Sequence, residues 1–450
     1  MIYKYQQLAE ELRQALQANK WPVGTKIPSI RSLSETYKQH RGTVIQALQQ
    51  LEKEHLLYVV PRSGYYVVKK EQLPITMTNP AIHFESGGPD WHYFPYKDFQ
   101  HCLNQAITTY QEALFMYGTP NGLPDLLRMA QKQLATQQVF TKTANIFVTS
   151  GVQQALDILC QMPFPNNKKT ILIEEPGYHA MIQLLKLKHI PFKTIARTTA
   201  GIDFNALEKL FKTNDIKFFY TMPRFHNPLG TSYNTAEKQS LVALAIKYNV
   251  YLVEDDYLQA FETDAKADPL YSYDLADHVI YLKSFSKIIF PGLRIGWCVI
   301  PELLITTFKA YKALADIDSS MLSQAAFAIY IQNGMYARHQ KQLQAIYIRR
   351  SKVLIAALKE KDTEGHLQIF ETKAMKTHLL LPDEVPVNYL YKKLLQQNIY
   401  LMNLENNYIT TSPPRNLLCL DVTNVAETEI EKGITILTQT VNALFNERKH

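Results

Sequence analysis

The chain has 450 residues, of which 46% are hydrophobic and 20% are charged, with 16 glycines, 22 prolines and 4 cysteines. This length and composition predict two to about four domains with a large buried core, and they exclude a disordered, collagen-like or disulfide-stapled protein. The four cysteines lie far apart without a C-x-x-C spacing, so no zinc knuckle or redox pair is expected. No apolar run reaches the roughly 18 residues that span a bilayer, and the first residues lack the apolar segment of a signal peptide. We therefore expect a cytoplasmic protein without a membrane partner.

The net charge of +7 is distributed unevenly along the chain. Residues 1–70 contain 11 Lys and Arg against 5 Asp and Glu, whereas the other 380 residues hold 37 basic and 36 acidic groups. Nearly all the excess positive charge therefore lies in the first seventy residues. This asymmetry is typical of a chain in which one small module faces a polyanion.

Helical periodicity predicts three short helices within residues 1–70. An apolar stripe over residues 5–16 forms the first helix, and the second begins with Ser29 as its N-cap. The third helix starts near Thr43. Its apolar face consists of Val44, Ala47, Leu48 and Leu51.

Two β-prone runs, residues 57–60 and 65–68, flank a Pro-Arg-Ser-Gly turn and predict a hairpin after the third helix. Three helices followed by a hairpin are the order of a winged helix-turn-helix, whose third helix enters the major groove of DNA while the wing reaches along the backbone. A small basic domain that binds a protein partner would show the same periodicity. The candidates to contact DNA are Arg31, Lys38, His40, Arg41, Thr43, Gln46 and Arg62.

These candidates divide by their position in the module. His40, Arg41 and Thr43 lie near the start of the third helix, where side chains read base edges. Arg31, Lys38 and Arg62 are better placed to hold phosphates.

The first seventy residues also carry a recognisable motif. The string Gly-Thr-Lys-Ile-Pro-Ser-Ile-Arg at residues 24–31, followed by Thr43-Val44 and by Gly64, resembles the GntR-type winged-helix family. The resemblance covers almost all of residues 1–70 and favours double-stranded DNA over a protein partner. The sequence differs from the family pattern at Gly42, directly before Thr43. A glycine here destabilises the first turn of the predicted third helix, which contacts DNA in this family.

Residues 71–82 show no helical or strand period and contain two prolines, so we expect a linker that spans at most about 40 Å. Beyond it, β-prone runs alternate with longer helical stretches, which predicts an α/β fold with a mainly parallel sheet flanked by helices. In such a sheet, ligands bind at the C-terminal ends of the strands. The five predicted strands are residues 146–148, 170–173, 218–221, 251–253 and 279–282.

Each predicted strand ends in residues that suit a ligand site. The first leads through Gly151 into a helix, whose free N–H groups at Val152 and Gln153 suit a phosphate. Taken singly, the other residues also fit ordinary roles, such as a solvated lysine, a packed tyrosine or a capping aspartate. These polar and aromatic residues are Tyr178, Asn227, Asp255, Tyr257, Ser284, Ser286, Lys287 and Arg294.

Together, these residues resemble the fold-type I pyridoxal 5′-phosphate (PLP) enzymes, specifically the aminotransferase class I and II family, over roughly residues 83–450. The most specific part is Ser284-x-Ser286-Lys287, with Arg294 seven residues further on. The resemblance implies a large PLP-binding lobe at residues 83–310 and a small C-terminal lobe at residues 311–450.

The resemblance also implies a role for each site residue. Lys287 forms a Schiff base with the cofactor aldehyde, which requires a desolvated amine of lowered pKa. Asp255 keeps the pyridine nitrogen protonated so that the ring acts as an electron sink. Asn227 and Tyr257 donate hydrogen bonds to the phenolic oxygen, and Tyr178 stacks on the ring. The phosphate is held by Val152, Gln153, Ser284, Ser286 and Arg294.

Two further residues follow from the resemblance. A tyrosine of the neighbouring subunit completes the phosphate site in this family, which matches Tyr117 in a Tyr-Gly-Thr-Pro-x-Gly stretch and implies a homodimer. The family holds the substrate carboxylate with an arginine on the strand before the last helix. Counted without a gap, that position falls at Cys419, and the nearest arginine is Arg415, which fits a surface residue equally well.

A GntR-type DNA-binding domain followed by an aminotransferase-like domain is the architecture of the MocR/GabR family of bacterial transcriptional regulators. The chain resembles this family over its whole length. The resemblance implies a regulator that binds promoter DNA through residues 1–70 and PLP through an aldimine at Lys287. It responds to PLP, or to an amine or amino acid that reacts with it. PLP itself, an ω-amino acid, an ordinary amino acid and a D-amino acid all fit as effectors.

Two alternatives keep the same fold. A working PLP-dependent aminotransferase with an accessory DNA-binding domain is possible chemically, because Asn227, Asp255, Tyr257 and Lys287 are all present. A DNA-binding protein with an inactive cofactor pocket is disfavoured, because every cofactor contact has a chemically competent side chain.

Overall fold

A computed structural model describes residues 3–54, 56–60, 62–68, 81–85, 88–264, 267–370, 372, 375–409 and 416–449. Its internal contacts divide the chain into two compact units, residues 1–79 and residues 80–450, which we call the reader and the body. Of the predicted linker, residues 71–80 lie outside the described residues. Among the helices that are described, none combines the length and the apolar character needed to cross a membrane.

The reader contains the predicted three helices and hairpin. They are α1 Lys4–Gln17, α2 Ile30–Thr36, α3 Arg41–Lys53, β1 Leu57–Val60 and β2 Gly64–Val67. The predicted cap is present, since the Ser29 hydroxyl oxygen accepts a hydrogen bond from the Ser32 N–H at 3.2 Å. The strands are antiparallel, with Val60 opposite Gly64. The core of the reader is made of Leu8, Leu12, Leu33, Val44, Ala47, Leu48, Leu51, Leu57 and Val67.

The body is built on a seven-stranded mixed sheet in the order β4-β10-β9-β8-β7-β5-β6. All of its pairings are parallel except those of β10, which runs antiparallel to both β4 and β9. The five predicted strands are all present, as β4, β5, β7, β8 and β9, and the mainly parallel sheet is confirmed. The strands are β4 Ile146–Thr149, β5 Thr170–Glu175, β6 Phe192–Ala196, β7 Ile216–Thr221, β8 Tyr251–Asp255, β9 Val279–Ser284 and β10 Gly296–Val299.

Helices cover both faces of this sheet. Successive strand residues point to opposite faces, so Phe147 lies in one apolar cluster while Ile146 and Val148 lie in another. Residues 146–149, 216–221 and 251–255 are therefore buried throughout. The helices of this part are α4 Tyr96–Tyr110, α5 Pro124–Ala135, α6 Val152–Gln161, α7 His179–Leu187, α8 Phe204–Thr213, α9 Thr235–Lys247, α10 Ile305–Ala315 and α11 Met321–Gln332.

The C-terminal part of the body forms a second layer with its own core. An antiparallel sheet in the order β11-β12-β14 packs with the last helices, and β13 pairs in parallel with β3 near the start of the body. The predicted boundary of this lobe at residue 311 stays a prediction. These elements are β3 Ile82–His83, α12 Met335–Lys361, β11 Gln368–Phe370, β12 Lys376–Leu380, α13 Val387–Leu395, β13 Ile399–Tyr400, β14 Leu417–Asp421 and α14 Glu427–Lys449.

Candidate functional site

A cavity of about 720 Å³ is lined by residues that follow the C-terminal ends of β4, β5, β7, β8 and β9. The structure brings ten of the predicted site residues to its wall. Tyr117 is not among the lining residues and is 80% exposed. Arg415 lies outside the described residues. The ten lining residues are Val152, Gln153, Tyr178, Asn227, Asp255, Tyr257, Ser284, Ser286, Lys287 and Arg294.

One end of the cavity is built to accept an anion. Helix α6 begins at Val152, directly after Gly151, whose φ of +84° favours glycine. A side chain at residue 151 would meet the Arg294 guanidinium at 3.0 Å, and one at Gly296 would meet the Val152 N–H at the same distance. Both glycines therefore keep open a cradle in which helix N–H groups and a guanidinium converge. Such a cradle fits a phosphate dianion.

Asp255 lies at the end of β8 and is buried. Its Oδ2 accepts a hydrogen bond from the Tyr220 hydroxyl at 2.8 Å, whereas its Oδ1 has no hydrogen-bond partner among the described residues. Burial raises the pKa of this carboxyl to about 7, with Asp256 adding to the rise and the Tyr220 hydrogen bond opposing it. A buried carboxylate oxygen without a donor is costly, so the site fits a ligand that brings a protonated ring nitrogen.

The raised pKa of Asp255 has a consequence for stability. The folded apoprotein holds a proton on this carboxyl over a pH range in which the unfolded chain has lost it, so its contribution to stability falls as pH rises toward about 7. We therefore expect the Tm of the wild-type apoprotein to fall relative to that of Asp255→Asn between about pH 5 and about pH 7.5. Scanning calorimetry measures this difference. The exposed Glu384→Gln is the control, and a pH-independent difference for Asp255→Asn would contradict the assignment.

Lys287 follows β9 and lines the cavity. Burial lowers the pKa of its ammonium to about 8, the nearby Lys376 ammonium lowers it further, and Asp421 opposes both. An amine with a pKa near neutrality is partly unprotonated and can attack a carbonyl carbon. Lys287 thus has the electrostatic surroundings of a reactive lysine.

The aromatic and amide groups around Lys287 are held in place by the protein. The Gln153 side chain donates to the Tyr178 hydroxyl at 3.3 Å, and Asn407 holds the loop before Tyr178 through the backbone of Gly177. The Tyr257 hydroxyl donates to the backbone carbonyl of Phe225 at 2.9 Å. Its hydrogen bond to the cofactor oxygen stays a prediction.

Twelve other lining residues were not predicted as site residues, among them Glu85, His179, Lys376 and Asn407. The most consequential is Lys376 on β12, whose Nζ lies 2.9 Å from Oδ1 of Asn227. Its strand was not predicted, because Lys-Thr-His-Leu-Leu carries neither a continuous apolar run nor a clear alternation. The pairing of β12 with β14 brings it to the cavity.

Six of the seven DNA-contact candidates are exposed on the reader. Helix α3 begins at Arg41, with His40 as the N-cap, and its first turn contains no acidic residue. The Arg31 side chain forms an exposed ion pair with Glu35 at 3.1 Å, and Arg62 lies in the hairpin turn with a φ of +64°. Thr43 is partly buried, and the exposed candidates are Arg31, Lys38, His40, Arg41, Gln46 and Arg62.

Comparisons with known proteins find a match for each of the two parts of the chain. Residues 94–434 match the family described as aminotransferase class I and II, and residues 4–67 match the bacterial regulatory proteins of the gntR family. The chain is 50% identical to YcxD of Bacillus subtilis, an uncharacterized HTH-type transcriptional regulator, over 96% of this chain and 99% of that protein. It is 26% identical to aromatic-amino-acid aminotransferase 1 of Thermococcus litoralis, over 83% of this chain and 90% of that protein.

A solved structure shows the same fold. The kynurenine aminotransferase of Pyrococcus horikoshii, crystallised with PMP and kynurenine, superposes with a TM-score of 0.74 at 26% identity. The superposition covers 81% of this chain and 92% of that chain.

Proposed function

Because the chain belongs to the aminotransferase class I and II family and fuses that domain to a gntR-family DNA-binding domain, we propose that it is a transcriptional regulator that senses PLP, or an amine or amino acid that reacts with it. The observation that carries the proposal is the cavity, where the anion cradle, the unpartnered oxygen of Asp255 and Lys287 all meet. The same chain carries a reading helix whose exposed side chains suit DNA. Its relative in Bacillus subtilis, named a regulator, aligns over both parts.

The residues present fit PLP group by group. The first turn of α6 and Arg294 would hold the phosphate, Oδ1 of Asp255 would accept a hydrogen bond from the ring N–H, and Tyr178 would cover the ring. Lys287 supplies the amine that attaches to the cofactor. When bound, PLP supplies an aldehyde that condenses with amines and a ring that withdraws electrons from them.

The wall of the cavity offers a route by which a ligand can affect the reader. Glu85, Gly88 and Pro89 line the cavity and belong to the start of the body, which follows the predicted linker in sequence. This stretch is tied to the C-terminal layer: the Phe84 carbonyl accepts from the Asp421 N–H at 2.9 Å, and Asp90 pairs with Arg350 at 2.7 Å. A ligand that binds two arrangements of this stretch with different affinity would shift their populations.

A second copy of the chain is part of the proposal. Phe115, Met116 and Tyr117 are consecutive and are 69%, 69% and 80% exposed, which is unusual for large apolar side chains. A homodimer would cover them and bring the partner's Tyr117 to the phosphate end of the cavity.

The alternative, an active aminotransferase, is favoured by the same Lys287 and Asp255. A turnover assay with PLP, an amino acid donor and a keto acid acceptor separates the two. For a regulator we expect no more than about one equivalent of product per subunit, as in a single half-reaction. Continued product formation far beyond one equivalent would contradict the regulatory assignment, and Lys287→Ala serves as the blank.

A further inference from the structure

Lys376 places a second lysine ammonium in the cavity beside Lys287. It stands on β12 opposite Asp421 of β14, and the next residues on the same face of that sheet are His378 and Cys419. Its side chain is only 10% exposed. The Lys376 backbone is fixed by strand pairing, so the ammonium is held at the cavity wall.

Among the described residues, the ammonium of Lys376 has one hydrogen-bond partner. It has three N–H donors, and one donates to Oδ1 of Asn227 at 2.9 Å. Oδ2 of Asp421 lies 3.6 Å away, too far for a good hydrogen bond, and has no hydrogen-bond partner among the described residues. Asp421 therefore compensates the charge of Lys376 without saturating its donors.

The other basic side chains on the wall have different surroundings, and so has Cys419, which does not line the cavity. Arg294 donates to the Ser150 carbonyl at the phosphate end, and Lys287 is the proposed cofactor anchor. His179 lies in surroundings that lower its pKa, chiefly by burial. Cys419, the ungapped position for the carboxylate arginine, is a buried thiol whose pKa is raised to about 12 by burial, so it carries no charge.

We propose that Lys376 binds a carboxylate of the effector and thereby restricts the site to amino acids over simple amines. The inference rests on the proposed function, since it takes the cavity to be a PLP site. The amide oxygen of Asn227 orients the ammonium, and the Asp421 carboxylate lies 3.6 Å from it. A charge-assisted hydrogen bond of this kind favours the carboxylated ligand by about 10-fold to 100-fold.

The test uses reduced PLP adducts that differ only in one carboxylate. N-(5′-phosphopyridoxyl) derivatives of glycine, 3-aminopropanoate and 4-aminobutanoate are paired with those of methylamine, ethylamine and propylamine. Each is titrated into the full-length apoprotein by calorimetry, so the measurement is binding and not activity. The ratio of the two Kd values in a pair isolates the carboxylate, and the series finds the chain length that reaches Lys376.

Three variants make the test specific. Lys376→Met leaves Asp421 buried without a cation, so the double variant Lys376→Met/Asp421→Asn removes both charges together. Lys376→Arg keeps the cation, and Lys392→Met removes an exposed lysine of α13 as the control. We expect the wild type, Lys376→Arg and Lys392→Met to prefer the carboxylate by at least about 10-fold in one pair. The double variant should lose that preference and keep its affinity for the amine adduct.

Each other outcome overturns the inference. A preference that survives in the double variant assigns the carboxylate to another group. If the wild type binds the amine adducts and the carboxylate adducts equally well, Lys376 does not bind the effector carboxylate. The proposed PLP site is not contradicted by that result. Failure of every adduct to bind contradicts the proposed function itself, and with it this inference.

Discussion

Lys287→Ala is expected to abolish covalent attachment of PLP completely. The wild-type protein incubated with PLP should absorb in the visible range, and borohydride reduction should fix the label on the peptide that contains Lys287. The reason is chemical: burial and the neighbouring Lys376 lower the pKa of this ammonium to about 8, so its neutral amine is available to the cofactor aldehyde. Alanine removes the only atom of this residue that can form the bond.

The control for this variant is Lys186→Ala, which removes an exposed lysine of α7. It should keep the visible band and the label. Mass spectrometry of the reduced, digested protein locates the label in both variants. A label that persists on another lysine of Lys287→Ala would show that a different amine is the anchor, and a wild type that stays colourless with excess PLP would contradict the cofactor assignment.

The double variant Arg41→Ala/Arg62→Ala is expected to weaken promoter binding by the full chain by about 100-fold. Arg41 is the first residue of α3 and Arg62 lies in the hairpin turn, and both are exposed. Loss of a base-reading or phosphate-binding arginine costs about 1–3 kcal/mol each, and loss of a phosphate contact also reduces the salt dependence of binding by about one unit of slope. Fluorescence anisotropy on DNA upstream of the chain's own gene, at several salt concentrations, measures both.

A charge-matched control separates contact from net charge. Lys4→Ala/Lys53→Ala also removes two exposed positive charges from the reader, at the start of α1 and the end of α3. Its affinity should stay within about threefold of the wild type, because those ends do not enter the groove in this class of module. Equal losses in the two double variants would mean that the reader binds through its net charge and not through α3 and the wing.

The parts of the fold that could be predicted are those in which local pattern and tertiary burial agree. The five predicted strands, β4, β5, β7, β8 and β9, are rich in apolar residues and almost fully buried because helices cover both faces of the sheet, and the apolar face of α3 has the helical period. Edge strand β6 was missed because it carries exposed Lys193, and β10 because it is short and begins with Gly296, a residue type that is depleted in strands. Both depend on their neighbours in the sheet more than on their own residues.

The residues of the candidate site also fall into those that the local sequence predicts and those that depend on long-range contacts. Ten predicted residues reach the cavity because each follows a strand end or opens the next helix, and such positions can be found along the sequence. Lys376 could not be predicted from local sequence in this way. Its position in the cavity depends on the pairing of β12 with β14, where its partner Asp421 lies more than forty residues further along the chain. The proton of Tyr257 goes to the Phe225 carbonyl, a contact between two loops that no local pattern encodes.

The most direct test of the account is a thermodynamic cycle on the full chain. The Kd for promoter DNA is measured with and without PLP, and the Kd for PLP is measured with and without that DNA. Coupled sites must change each other's affinity by the same factor. We expect PLP to change the Kd for DNA at least about fivefold, and DNA to change the Kd for PLP by the same factor. In Lys287→Ala this coupling should be absent. Identical DNA affinity in the presence and absence of PLP, and of PLP together with an ω-amino acid, an ordinary amino acid or a D-amino acid, would contradict the proposal that this cavity regulates the reader.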